Sequence, residues 1–99
     1  MTSRIVRGGL IQMKADIPLD GTVEDIKARM LEKHLPLIAQ AAQQGVQLLC
    51  LQELFNGPYF CAEQKPRWYE MVEAIPDGPT IRRMQEIAKT HGMVMIVPI

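Results

Sequence analysis

The chain has little of what usually announces a specialised role. Its 99 residues hold only two cysteines, Cys50 and Cys61, at a spacing that matches neither a metal site nor a redox pair. Eleven basic and eleven acidic side chains cancel, and no basic cluster breaks the balance. That pattern argues against nucleic acid or an anionic membrane surface as partner. No apolar run is long enough to span a bilayer, and the N-terminus lacks a signal-peptide core. Cytoplasmic residence is the expectation. There is no internal repeat, and the seven methionines are scattered through apolar positions as core filling rather than gathered into a cofactor box.

What is present is a globular composition, 47% hydrophobic, which suits one small domain and excludes a disordered chain. Its organising stretch runs from Leu48 to Phe60. Leu48 to Leu51 is an apolar run without alternation, which predicts a strand buried on both faces, as in a parallel sheet covered by helices. Glu53 follows, and Gly57-Pro58 signals a turn. A carboxylate at the C-terminal end of such a strand sits where α/β sheets form ligand crevices. Stripped of water there, it would be raised toward neutrality and become usable as a general base. On position alone, a glutamate after an apolar run more commonly marks the return of the chain to solvent.

Around this stretch the pattern alternates. Arg4 to Met13 reads as a first strand broken by Gly8-Gly9, a pair that fits neither a dinucleotide loop nor a phosphate loop and is read as packing. Thr22, with Asp25 three places on, predicts a capped helix start, and Gly45 a stop. Pro36 predicts a kink near Glu32 to Leu35, and His34 reads as a surface or half-buried histidine without chemistry. Asn56 to Pro66 reads as a loop and Pro66 to Glu73 as a short helix. Pro79 opens a second long helix that ends at Gly92, and Met93 to Val97 reads as a third strand. Strand, helix, strand, helices, strand is an α/β arrangement. Because domains seldom end in mid-core, a terminus on Met93 to Ile99 leads to the expectation that residues 1–99 are the N-terminal part of one longer domain.

The wording Leu48-Leu49-Cys50-Leu51-Gln52-Glu53-Leu54-Phe55-Asn56-Gly57-Pro58-Tyr59-Phe60 resembles the first catalytic segment of the nitrilase superfamily of carbon-nitrogen hydrolases. So do Arg7 to Gln12 before it, and Ile75-Pro76-Asp77-Gly78-Pro79-Thr80 through Val97-Pro98-Ile99 after it. The branch it looks most like hydrolyses N-carbamoyl amines: the β-ureidopropionases and N-carbamoylputrescine amidases, with ω-amidases further off. The resemblance implies a four-layer αββα sandwich, of which this chain is the N-terminal portion, and a homo-oligomer. It implies a small-molecule N-carbamoyl or amide substrate, no metal and no cofactor.

It also implies a glutamate, lysine and cysteine mechanism that releases ammonia and carbon dioxide. Only the glutamate carries over, onto Glu53; the lysine and cysteine motifs fall after Ile99, so the 99-residue chain alone is expected to be inactive. Cys50 reads as a small hydrophobe within the strand. Cys61, in the loop near Glu53, lacks the strand-to-helix setting of a nucleophile. Phe55, Tyr59 and Phe60 are candidates for substrate contact, with loop packing as their other reading. Gln52 either orients its neighbour or satisfies backbone groups at the strand end. A different class of reading makes the chain a non-catalytic α/β fragment or binding module with Glu53 structural.

Overall fold

The computed structural model describes residues 4–99. Three short parallel strands, β1 (Gly8–Leu10), β2 (Leu48–Cys50) and β3 (Val94–Ile96), form one sheet in the order β1-β2-β3. Helix α1 (Val23–Gln43) crosses from β1 to β2, and α2 (Pro79–His91) from β2 to β3. The alternation read from the sequence is therefore an α/β fold, with β2 internal. Right-handed crossovers that step in one direction place both helices on the same face of a sheet. The buried cluster agrees: Ile38 of α1 and Met84 and Ile87 of α2 pack with Leu49, Leu51, Ile11 and Met93.

The consequence for β2 departs from the sequence expectation. Register aligns Gly9, Leu49 and Met95 on the helix side, and Leu10, Cys50 and Ile96 on the other. Leu49 is buried, whereas Leu10 is 85% and Ile96 49% exposed. The apolar run is thus buried on one face only, because the described residues supply helices to that face alone. The Gly8-Gly9 pair does not break β1 but forms it. A Cβ on Gly9 would come within 3.1 Å of the Val46 side chain and 3.3 Å of Leu49, so a side chain there would require both neighbours to shift by a few tenths of an ångström.

Helix α1 starts as read: the Thr22 hydroxyl accepts from the Asp25 N–H at 3.1 Å, and Glu24 and Asp25 lie in the first turn. It runs as one element through Pro36. A proline removes one intrahelical bond, and the stripe Ile26, Met30, His34 and Ile38 is fully buried on both sides of Pro36. His34 is accordingly core rather than surface or half-buried. Helix α2 begins on Pro79 and closes at Gly92, whose φ of 61° is the left-handed conformation that glycine adopts without steric cost. Between β2 and α2 the stretch read as a loop holds one 3-10 turn, Phe60–Ala62, and the expected short helix is a 3-10 helix, Pro66–Met71. Arg67 ties the second to the α1 side by donating to the carbonyls of Leu19 at 3.1 Å and Gly21 at 2.6 Å.

Candidate active site

Parallel strands end on one edge of the sheet, and Glu53 stands there, three residues beyond the last paired residue of β2. Its side chain is exposed. The water-excluded setting expected for a raised base is therefore not supplied by residues 4–99. The backbone around it is more constrained. Leu54 has φ of 54°, a left-handed conformation that a branched side chain adopts at a cost of about 1 kcal/mol. Such strain persists only where surrounding contacts hold it. Here Gly57 N–H donates to Leu54 O at 3.2 Å, and Phe55 N–H donates to Pro98 O at 3.3 Å, beyond β3. The Phe55 ring is wholly buried and meets His34 edge-on.

Gln52, just before Glu53, accepts through Oε1 from the Met13 N–H. Its side chain thus joins the ends of β1 and β2. The three aromatic candidates separate. Phe55 is in the core, Phe60 lines a cleft, and Tyr59 is exposed. Tyr59 lies close to both Cys61 and Glu53: its hydroxyl is held above the usual phenol range, first by its hydrogen bond to Cys61, then by the negative charges of Cys61 and Glu53. Cys61 is exposed, and Cys50 is half-buried with its thiol toward Leu51 O at 3.4 Å.

The cleft, of about 780 Å³, opens beside the Glu53 turn and does not include Glu53 itself. Leu54, Phe60, Cys61, Trp68 and Tyr69 contribute to its walls, and Glu73 is its buried acid. Sequence reading passed over Glu73. Its Oε2 receives Lys27 at 2.7 Å, its Oε1 receives the Thr80 N–H at 2.7 Å, and the Thr80 hydroxyl donates to it as well. Burial alone would push this carboxyl up; the hydrogen bonds from Lys27 and Thr80 outweigh it and leave Glu73 below the ordinary carboxylate range. The signal available in the sequence was only that an acid stands a few residues before Pro79-Thr80, where the first N–H groups of a helix need acceptors.

Among the described residues no group of three or more His, Cys, Asp or Glu side chains is placed to hold a metal ion. Among them also, no helix is long and apolar enough to cross a membrane.

The family model of the carbon-nitrogen hydrolases matches residues 9–99. A β-ureidopropionase of Arabidopsis thaliana is 38% identical over 97 residues, which is 97% of this chain and 23% of that protein. An N-carbamoylputrescine amidase of Solanum lycopersicum is 43% identical over 61 residues, 62% of this chain and 20% of that protein. An omega-amidase, NIT2 of Xenopus tropicalis, is 35% identical over 74 residues, 75% of this chain and 25% of that protein. The chain thus spans a quarter or less of the length of these relatives.

Proposed function

The chain belongs to the carbon-nitrogen hydrolase family, and from that premise we propose that it carries the general base of an enzyme cleaving a non-peptide carbon-nitrogen bond in an N-carbamoyl amine or amino acid. The observation that supports this most directly is the placing of Glu53: an exposed carboxylate beyond the C-terminal end of the central parallel strand, on a turn with left-handed Leu54 next to it. The β-ureidopropionase named above aligns over nearly the whole chain, so an N-carbamoyl amino acid is the preferred substrate. N-carbamoylputrescine and an ω-amide are the alternatives.

In this reading Glu53 takes the proton of a cysteine thiol contributed by the enzyme beyond Ile99. The thiolate attacks the carbamoyl carbon, and a lysine ammonium, also from beyond Ile99, stabilises the oxyanion. Collapse breaks the bond to the terminal nitrogen, which leaves as ammonia carrying the proton that Glu53 returns. Water, deprotonated by the same glutamate, then cleaves the remaining bond to sulfur. The carbamate released loses carbon dioxide and yields the free amine. The open face of the sheet, with Leu10 and Ile96, would be covered by a second sheet and helix layer of an αββα sandwich. That cover would also supply the dry surroundings that Glu53 lacks within residues 4–99. The reading extends to a cytoplasmic homo-oligomer.

The test is ammonia release by the intact enzyme from N-carbamoyl-β-alanine, N-carbamoylputrescine and an ω-amide, with Glu53→Gln in parallel. Loss of a positioned base costs about 10²–10⁴-fold in rate. A folded Glu53→Gln variant that keeps more than about a tenth of wild-type turnover would overturn the assignment.

A further inference from the structure

Besides the contacts of Phe55 with Pro98 and His34, the turn that carries Glu53 meets the segment leading into α2 at two points. Asn56, 5% exposed, donates through Nδ2 to the Thr80 hydroxyl over a long 3.5 Å. Gly57 lies directly under the Met71 side chain: a Cβ there would fall 2.3 Å from the Met71 methyl carbon. Met71 and Thr80 are the two ends of one segment, and Glu73 folds that segment on itself by accepting from both the N–H and the hydroxyl of Thr80. Lys27 anchors Glu73 in turn to α1. The Thr80 hydroxyl sits in the middle, donating to a carboxylate on one side and accepting an amide on the other.

We infer that Glu73, Thr80 and Asn56 are positioning residues, which hold the turn after β2 so that Glu53 keeps its place at the sheet edge. This rests on the reading of Glu53 as general base. None of the three touches the reacting atoms; their effect runs through the conformation of Leu54 to Gly57. A strained Leu54 makes the need concrete, since a left-handed leucine relaxes unless the residues after it are tied down. Proximity effects fall steeply with small displacements, so a loosened turn lowers turnover more than it lowers substrate affinity.

The experiment compares Thr80→Val, which keeps shape and the backbone bond to Glu73 but lacks the hydroxyl, with Thr80→Ser, which restores it. Asn56→Ala cuts the same link from the other side and leaves Glu73 bonded, so it serves if the valine variant fails to fold. Each is made in the intact enzyme beside Glu53→Gln. In Thr80→Val, amide hydrogen exchange at Phe55 and Gly57 should quicken about tenfold. The kcat should fall about tenfold with KM nearly unchanged. Thr80→Ser should return both toward wild type. Unchanged exchange at Phe55 and Gly57 in the folded variants overturns the inference, as does a kcat that follows only the fraction folded. Should Glu53→Gln retain turnover, the base assignment falls, while hydrogen exchange still decides whether these residues hold the turn.

Discussion

His34 meets Phe55 edge-on, ring centroids 5.2 Å apart and planes at 87°. Both are fully buried, and the contact joins the middle of α1 to the turn that follows Glu53. Nδ1 of His34 donates to the Met30 carbonyl at 2.7 Å, so the ring hydrogen is on Nδ1, and Nε2 finds no partner among the described residues. The pair is therefore asymmetric: Phe55 contributes packed volume, whereas His34 contributes packing at the expense of an unpaired polar atom.

Substitution should expose that asymmetry. Phe55→Ala is expected to destabilise the intact enzyme by about 3–5 kcal/mol, the usual cost of emptying an aromatic core position. His34→Leu loses one bond to a carbonyl and also removes an unpaired nitrogen, so its effect should stay within about 1 kcal/mol. Thermal melting of both variants is the check. A His34→Leu penalty as large as that of Phe55→Ala would refute this asymmetry.

Glu73 predicts a pH dependence. Its carboxyl lies below the ordinary range in the folded protein, where Lys27 and Thr80 hold the charged form. The stability it contributes is complete above the ordinary glutamate value of 4.5 and is lost as pH falls through the lower folded value. Glu73→Gln mimics the protonated form. At pH 7 it should lower the melting temperature, by the several degrees that about 2–3 kcal/mol represents for a disrupted buried ion pair. Toward about pH 3 that difference from wild type should shrink. A difference of constant size from pH 7 to pH 3 would show that the charge of Glu73 is irrelevant.

Two glycines should respond differently to the same added methyl. At Gly78 a Cβ would fall 2.5 Å from the backbone oxygen of Ala74, which also receives the Gly78 N–H at 2.8 Å. At Gly57 the nearest atom is the flexible end of Met71. Gly78→Ala is expected to cost about 2–3 kcal/mol and Gly57→Ala less than about 1.5, because only the methionine can step aside cheaply. Denaturant unfolding of the two variants orders them; equal penalties would refute the argument.

The uncovered side of the sheet yields a prediction for residues 1–99 as an isolated chain. Leu10 on β1, Leu48 on β2 and Val94 and Ile96 on β3 present exposed apolar surface on one face of the sheet, uncovered among the described residues. Surface of that kind leads to association. The isolated chain should bind a hydrophobic dye and melt without a cooperative transition. A soluble monomer with a sharp melting transition would contradict this.

Much of this architecture was legible in the residues, and the parts that were not share a cause. Thr22 and Asp25, Pro79 and Gly92 mark helix ends by local hydrogen bonding and backbone geometry, and the structure places the ends there. Burial was harder. An apolar strand looks the same whether its second face is covered by this segment or waits for another, so Leu48 to Leu51 suggested two buried faces where the described residues bury one. His34 falls on the line Met30, His34, Ile38 at four-residue spacing, a position that outweighed its polarity. Glu73 was invisible for a different reason: its partners Lys27 and Thr80 are brought together only by the fold, and a carboxylate alone does not show which helix it will cap.

The sheet register has a kinetic consequence. Gly8 pairs with Leu48, and Leu48 with Val94, so neither ladder can form until some forty or more residues have been brought together. The helices need no such closure. Loop closure over such separations slows the steps that require it. The order of events that follows is helices first, with α1 and α2 gathering the strands. Glu53 would reach its place last, because the edge it stands on does not exist before β2 has both neighbours.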